Sequence, residues 1–275
     1  MAEKWTLGKA ASLAGVLLLA AVVLHPFLWL FVSTFKFEQE LLKYPPAFFA
    51  GEYTFSQYVK VWDRIPLLDF FVNTVVFAAS VAVISVFLDS MAGYAFARIR
   101  FKGNRFLFAL VLMTLMVPYQ VMMIPLFVEV YKFGLLDTYW GLILPRAASA
   151  LGIFLMRSFF VSLPKDLEES ARVDGLGEFR IYRSIMLPLC KSAMVTLGIF
   201  HLMNNWNDLL YPLMMTSSTE MRTLSAGIAM FVGQRSIEYG ATLAASTLSL
   251  LPLLIAYAFA QRYFVQGVAT SGLKG

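Results

Sequence analysis

Charge is scarce in this chain. Of its 275 residues 14% are charged, against about 25% in ordinary soluble domains, and 59% are hydrophobic. That balance excludes a conventional soluble globule and reads as a polytopic membrane protein. Cysteine occurs once, at Cys190, so no intrachain disulfide can form and redox chemistry is not indicated. Histidine occurs twice, and no His, Asp, Ser or Cys group has catalytic or metal-ligating spacing, which leaves a membrane-bound enzyme without support. Also missing are an internal repeat, a low-complexity run, a separate soluble domain and any phosphate-binding G-x-x-x-x-G-K-[ST] pattern. If ATP drives the protein, its energy enters through another subunit, and ATP and Mg bind there; the chain itself is expected to carry no cofactor and no metal.

What the chain has is apolar length. A bilayer core needs about 20 mostly apolar residues per helix. Such segments run near Ala10–Val32, Phe70–Ala97, Phe106–Val130, Tyr139–Phe160, Ser192–Leu213 and Thr242–Tyr263. The fold class is therefore all-α, with six transmembrane helices in a single domain over residues 1–275. The first segment is too long for a signal-peptide core, so Lys4 and Lys9 are expected to flank an uncleaved anchor.

Orientation follows from the cations, because short translocated loops avoid them. With the N-terminus inside, the inner segments carry Lys4 and Lys9, then Arg98, Arg100, Lys102 and Arg105, then Lys165, Arg172, Arg180, Arg183 and Lys191, and finally Arg262 and Lys274. The outer segments carry fewer, and Arg146 and Arg157 lie within the fourth span. Both termini are expected in the cytoplasm. The awkward piece is Lys36–Asp69, which holds Lys36, Lys43, Lys60 and Arg64 and is still placed outside. The formal charge of +5 reflects this bias and an anionic lipid surface, so no nucleic-acid partner is needed.

One charged island, about residues 162–190, interrupts the apolar pattern on the inner side. Pro164 suits a first helical turn, Asp166, Glu168 and Glu169 place negative charge at the positive end of a helix dipole, and Gly175 can take the left-handed conformation that ends a helix. A short helix from about Lys165 to Asp174 follows. Leu167, Ser170, Ala171 and Asp174 share one face, small in the middle so that another surface can approach, while Glu168 and Arg172 pair at i, i+4. After Gly175-Leu176-Gly177, Ile181, Tyr182, Ile185, Met186 and Leu189 recur at helical spacing opposite Arg180, Arg183 and Ser184, until Pro188 breaks the pattern.

Glu169-Ser170-Ala171, then three residues, Gly175, nine residues and Ile185-Met186-Leu187-Pro188, resembles the E-A-A loop of bacterial ABC-importer permease subunits, with Ser170 the one departure. The resemblance implies the type I ABC importer permease fold and a coupling helix docked on an ATPase through Glu168, Glu169, Ser170, Ala171, Asp174, Gly175, Ile185, Leu187 and Pro188. Ser33-Thr34-Phe35-Lys36, Ala92-Gly93-Tyr94-Ala95-Phe96-Ala97-Arg98, Val117-Pro118-Tyr119-Gln120 with Ile124-Pro125-Leu126, and Trp206-Asn207-Asp208 with Tyr211-Pro212-Leu213 look like its carbohydrate-uptake branch, the maltose-importer type. That branch implies a second homologous permease subunit, two ATPase subunits, an extracytoplasmic solute-binding protein and a sugar-like solute. Oligosaccharide, monosaccharide, polyol and glycerol-3-phosphate importers share these motifs. The bacterial or archaeal cell (inner) membrane is the implied location. The cytoplasmic tail covers about residues 264–275; from Gln266 to Gly275 it is expected to be flexible in isolation, and its end, Gly272, Leu273, Lys274 and Gly275, resembles a family tail that reaches between the ATPases.

Within the spans the densest polar group is His201, Asn204, Asn205, Asn207 and Asp208 around Trp206. Such groups avoid lipid, so Asn204, Asn205 and Asp208 either line a solute path or close the span as a structural corner. Asn73 and Thr74 are weaker pathway candidates, and Asp89 and Glu129 are expected to be structurally satisfied. Pro118 and Pro125 must kink the third span or mark unwound backbone. The competing class, an ATP-independent channel or secondary transporter, would need coupling ions or inverted repeats and would leave the charged island unexplained.

Overall fold

In hydrocarbon the backbone polar groups of an apolar run have no partners but each other, and a helix satisfies them within the segment. The computed structural model describes residues 7–232 and 238–272, with the side chains of residues 8–9, 11–232 and 238–258. Among the described residues it is mainly helical, with turns and loops between the helices and an isolated bridge between Lys36 and Tyr53. Three helices are long and apolar enough to cross a membrane unbroken, and six crossings result if each bent pair is one span. Contacts group the chain into two compact units, one made of the chain up to Leu67 with Gly227–Leu251, the other of Leu68–Ala226 with the chain from Pro252.

In the first unit the helix Leu7–Ser33 supplies the first span, and its apolar run is left uncovered by the rest of the chain. The segment after it is folded around its own charges. Lys36 Nζ donates to the Ala47 carbonyl at 2.5 Å, and the Lys36 carbonyl accepts from Gln57 at 3.1 Å. Burial lowers the pKa of Lys36, with Glu40 opposing the shift. Lys43 lies 4.0 Å from Glu40, and Arg64 pairs with Glu238. Lys36, Lys43 and Arg64, three of the cations that make this an awkward outer loop, are thus each engaged. Glu38 accepts from the backbone N–H groups of Tyr239 at 2.7 Å and Gly240 at 3.0 Å, satisfying orphan donors at the start of the helix Tyr239–Gly272.

In the second unit the helix Leu67–Arg98 is the second span. A Cβ on its Gly93 would lie 2.7 Å from Met156 Cβ, so the second and fourth spans touch backbone to backbone there. The third span is broken: Asn104–Thr114 and Tyr119–Lys132 meet at 99°, with Pro118, which has no N–H to continue the first helix, opening the second. The fourth span joins Tyr139–Arg146 to Ala150–Ser162 at 43°. The fifth departs from expectation. Its helix Lys191–Trp206 has 16 residues, about 24 Å at 1.5 Å per residue, and the chain turns before a further helix, Leu210–Met215. It meets Glu178–Leu189 at 81°, just beyond Pro188.

Two apolar clusters hold this unit. Phe77, Val81, Val130, Leu142, Ile143, Tyr211 and Met215 form one, and Tyr94, Met156, Phe160, Ala171, Ile181, Tyr182, Met186, Cys190 and Leu197 the other. The last helix keeps a helical backbone through Gly272, beyond the point at which the tail was expected to become flexible. Residues 264–272 contain no proline, and Gly267 alone costs a helix only about 1 kcal/mol. Leu273, Lys274 and Gly275 lie outside the described residues.

Candidate functional site

The charged island folds as its spacing dictates. Asp166–Val173 is a helix with Asp166, Glu168 and Glu169 in its first turn. It ends at Gly175, whose φ is +79°; the Gly175 N–H donates to the Arg172 carbonyl and the Leu176 N–H to the Ala171 carbonyl, both at 3.0 Å. A Cβ at Gly175 would meet nothing within 4 Å, so its dihedral alone calls for glycine. The chain returns through Glu178–Ile181 and a π-helical turn, Tyr182–Met186, which buries Ile181, Tyr182 and Met186 against the spans.

A ring of charge fixes this loop. Glu168 is 2% exposed and lies between two arginines, 3.0 Å from Arg98 and 3.2 Å from Arg172. Arg172 also reaches Glu178 at 2.7 Å, and Tyr94 donates to Glu178 at 3.0 Å. The Arg172 hydrogen bond is the main reason the Glu178 carboxyl titrates below its usual range; burial opposes it and the Tyr94 bond adds to it. Tyr94 and Arg98 sit one turn apart at the end of the second span, so that helix grips the loop at two carboxylates. Arg98 donates as well to the carbonyls of Phe160 at 2.5 Å and Leu163 at 2.6 Å, where the fourth-span helix runs out of intrahelical donors. Removing one member of so buried an ion pair leaves an uncompensated charge, a loss of about 3–5 kcal/mol.

The loop residues expected to face a partner therefore divide. Glu169, Ser170, Asp174, Gly175 and Pro188 are exposed, and Ile185 and Leu187 are half-buried. Glu168 and Ala171 are turned inward, a correction to their placement on the contact face: Glu168 is matched by Arg98, and Ala171 packs in the cluster beneath. What the exposed side presents is apolar as well as charged, with Val173 87% and Phe179 62% exposed.

The polar group of the fifth span is likewise divided. Buried His201 lies 3.0 Å from Asp89, which also accepts from the Ser149 N–H at 2.8 Å and its hydroxyl at 3.2 Å. Asn205 donates to the His201 carbonyl at 2.7 Å and accepts from Arg146 at 3.3 Å. Asp208 pairs with Arg146 and accepts from the Tyr211 N–H at 3.2 Å, starting the helix Leu210–Met215. The Arg146 guanidinium lies over the rings of Tyr119, at 4.7 Å, and Tyr211, at 4.4 Å. Asn204, by contrast, is exposed. The helix ends at Trp206, so Asn204 and Asp208 do not share a helical face. Asn73 donates to the carbonyls of Glu220 and Arg222, at 2.6 and 2.9 Å, and Thr74 accepts from the Leu224 N–H at 2.7 Å; both are structural. Sequence reading used Arg98 for orientation and Tyr94 and Arg98 as part of a motif, but assigned neither them nor Arg146 and Glu178 a partner. For Arg146 the signal was available, since a cation inside an apolar span demands partners.

A charged loop clamped beneath bent apolar spans is the arrangement of a membrane component that meets a soluble partner. The family model described as the binding-protein-dependent transport system inner membrane component matches residues 89–270. The chain belongs to this family. It is 34% identical over 264 residues to the arabinooligosaccharides transport system permease protein AraQ of Halalkalibacterium halodurans, covering 95% of each. It is 33% identical to the diacetylchitobiose uptake system permease protein NgcG of Streptomyces coelicolor, over 94% of this chain and 87% of that one. With the sn-glycerol-3-phosphate transport system permease protein UgpE of Brucella abortus the identity is 30%, over 90% and 91%. The fold matches a chain in the crystal structure of a bacterial ABC transporter involved in the import of the acidic polysaccharide alginate, with a TM-score of 0.79 at 22% identity over 95% and 99% of the two chains. Among the described residues no group of His, Cys, Asp and Glu is arranged to hold a metal ion.

Proposed function

We propose that this chain is the permease subunit of a sugar-class ABC importer, and that the exposed side of the Asp166–Val173 helix docks on an ATPase subunit. The observation that carries the reading is a loop whose buried side is fixed by ion pairs while Val173 and Phe179, and the charged Glu169, Asp174 and Arg180, are left exposed. Exposed apolar side chains inside a polar rim mark a protein interface. The sugar class rests on the relatives, whose names specify oligosaccharides, a disaccharide derivative and glycerol-3-phosphate.

The remaining parts follow as one assembly: a second homologous permease chain, two ATPases that bind ATP and Mg, and a solute-binding protein outside. The chain itself is non-catalytic, with both termini in the cytoplasm. ATP binding draws the ATPases together, their clefts move the docked helices, and rigid-body motion alternates access to the path. Asn204, Asn205 and Asp208 divide between path and corner, and the exposure of Asn204 supports assigning it to the path. The tail, Gly272 to Gly275, is a further contact for the ATPases. Family membership and the charged loop leave a channel or secondary transporter without a supporting observation.

The test is co-purification. Tagged chain solubilised in mild detergent is expected to retain ATPase subunits, with hydrolysis stimulated by the loaded binding protein, and removal of Gly272–Gly275 is expected to lower that retention. A complex without ATPase under conditions that preserve the permease overturns the reading.

A further inference from the structure

We infer that the buried Arg98–Glu168 ion pair is the linkage that carries movement of the docking helix into the second and fourth spans. The inference rests on the proposed ATPase contact and adds to it the route by which force leaves the loop.

The helix Asp166–Val173 is short and, like any surface helix on a flexible loop, could tilt or unwind under load instead of transmitting it. Its outer side supplies a surface for a partner but no attachment to the spans. Attachment is concentrated on its inner side in two residues: Ala171, which adds packing, and Glu168, whose two carboxylate oxygens are held by arginines on different elements. Arg172 belongs to the same helix and meets the spans only indirectly, through Glu178 and Tyr94. Arg98 meets them directly: it ends the second span, and its Nη2 holds the last carbonyls of the fourth-span helix at 2.5 and 2.6 Å. One guanidinium therefore joins three elements. Glu168 and Arg98 are 3% and 4% exposed, so water does not screen the pair and their separation is costly. The neighbouring bond from Tyr94 to Glu178 ties the second span to the return helix, making the grip two-point and resisting rotation about a single contact.

A pair that serves only stability would change the amount of complex and leave the ratio of uptake to hydrolysis intact. The experiment therefore reads that ratio. The whole importer, reconstituted in proteoliposomes with its binding protein, is assayed for ATP hydrolysis and solute uptake in parallel. Glu168→Gln, nearly isosteric, is expected to keep the ATPases bound and hydrolysing while uptake per ATP falls at least tenfold. Arg98→Gln is expected to match it, and the double substitution to be no worse than either single, since all three break one linkage. Tyr94→Phe, which removes one hydroxyl and no charge, is expected to lower the ratio by roughly two- to fivefold, and it decides the matter if the charge variants do not assemble. An assembled Glu168→Gln complex with the wild-type ratio overturns the inference, as does an unchanged Tyr94→Phe ratio when the charge variants are lost. Failure of the wild-type complex to couple hydrolysis to uptake would instead strike the proposed function itself.

Discussion

Single atoms decide several features of this chain. At Gly175 there is room for a Cβ and no tolerance for the dihedral, so the two effects separate cleanly. Gly175→Val is expected to strain the turn by about 1–2 kcal/mol and weaken ATPase retention, while Gly175→Asn, which accepts left-handed backbone, is expected to retain most of it. Co-purified ATPase per permease gives the comparison; equal retention in both would detach the turn from docking. At Gly152 the reverse holds, since a Cβ would fall 1.8 Å from an Asp89 carboxylate oxygen, inside the knot of Asp89, Ser149 and His201. Asp208 and Asn204 make a second contrast. Asp208→Ala strands the Arg146 charge in a mostly buried site and is expected to lower complex stability by about 2–4 kcal/mol, read as a lower melting temperature. Asn204→Ala is expected to leave stability alone and shift the apparent affinity for solute in uptake assays. If Asp208→Ala melts as the parent does, the corner role fails, and unchanged uptake by Asn204→Ala removes it from the path.

Elements were legible in the sequence to the extent that local chemistry specifies them. The loop helix, its first-turn acids, its glycine terminus and the i, i+4 pair of Glu168 and Arg172 follow from positions a few residues apart, and they are all present. So is the break of the third span at Pro118, whereas Pro125 lies within the helix Tyr119–Lys132 and does not end it. What periodicity does not specify is which face another element covers. Glu168 reads as a dock residue until Arg98, seventy positions earlier in the chain, arrives beside it. The fifth span was overextended for a related reason: Trp206-Asn207-Asp208-Leu209 contains no helix breaker, and the turn there is fixed by Arg146 holding Asp208 and Asn205. The last helix runs on past Tyr263, through a stretch from Pro252 to Gly272 that contains no further proline.

For the whole molecule sidedness is the property to test. The inner loops carry most of the cations, and the outer segment's Lys36, Lys43 and Arg64 are engaged locally. Cys190 does not report the side on which it lies, because it is fully buried among Tyr182, Met186 and Leu197. In a Cys190→Ser background, Tyr44→Cys, at a position 95% exposed, is expected to react with a membrane-impermeant maleimide from outside intact cells. Arg180→Cys is expected to react only in inside-out vesicles. Reversed labelling would invert the topology and place the charged loop where no ATPase can reach it.

The burial that spoils Cys190 as a marker of place makes it a marker of time. Its sulfur sits in the cluster that also holds Ala171 of the loop helix and Phe160 of the fourth span, so a reagent reaches it only while those neighbours are parted. The rate at which this single thiol is modified in native membranes is therefore a clock on how often the loop lifts from the spans, an opening frequency written into the unaltered chain.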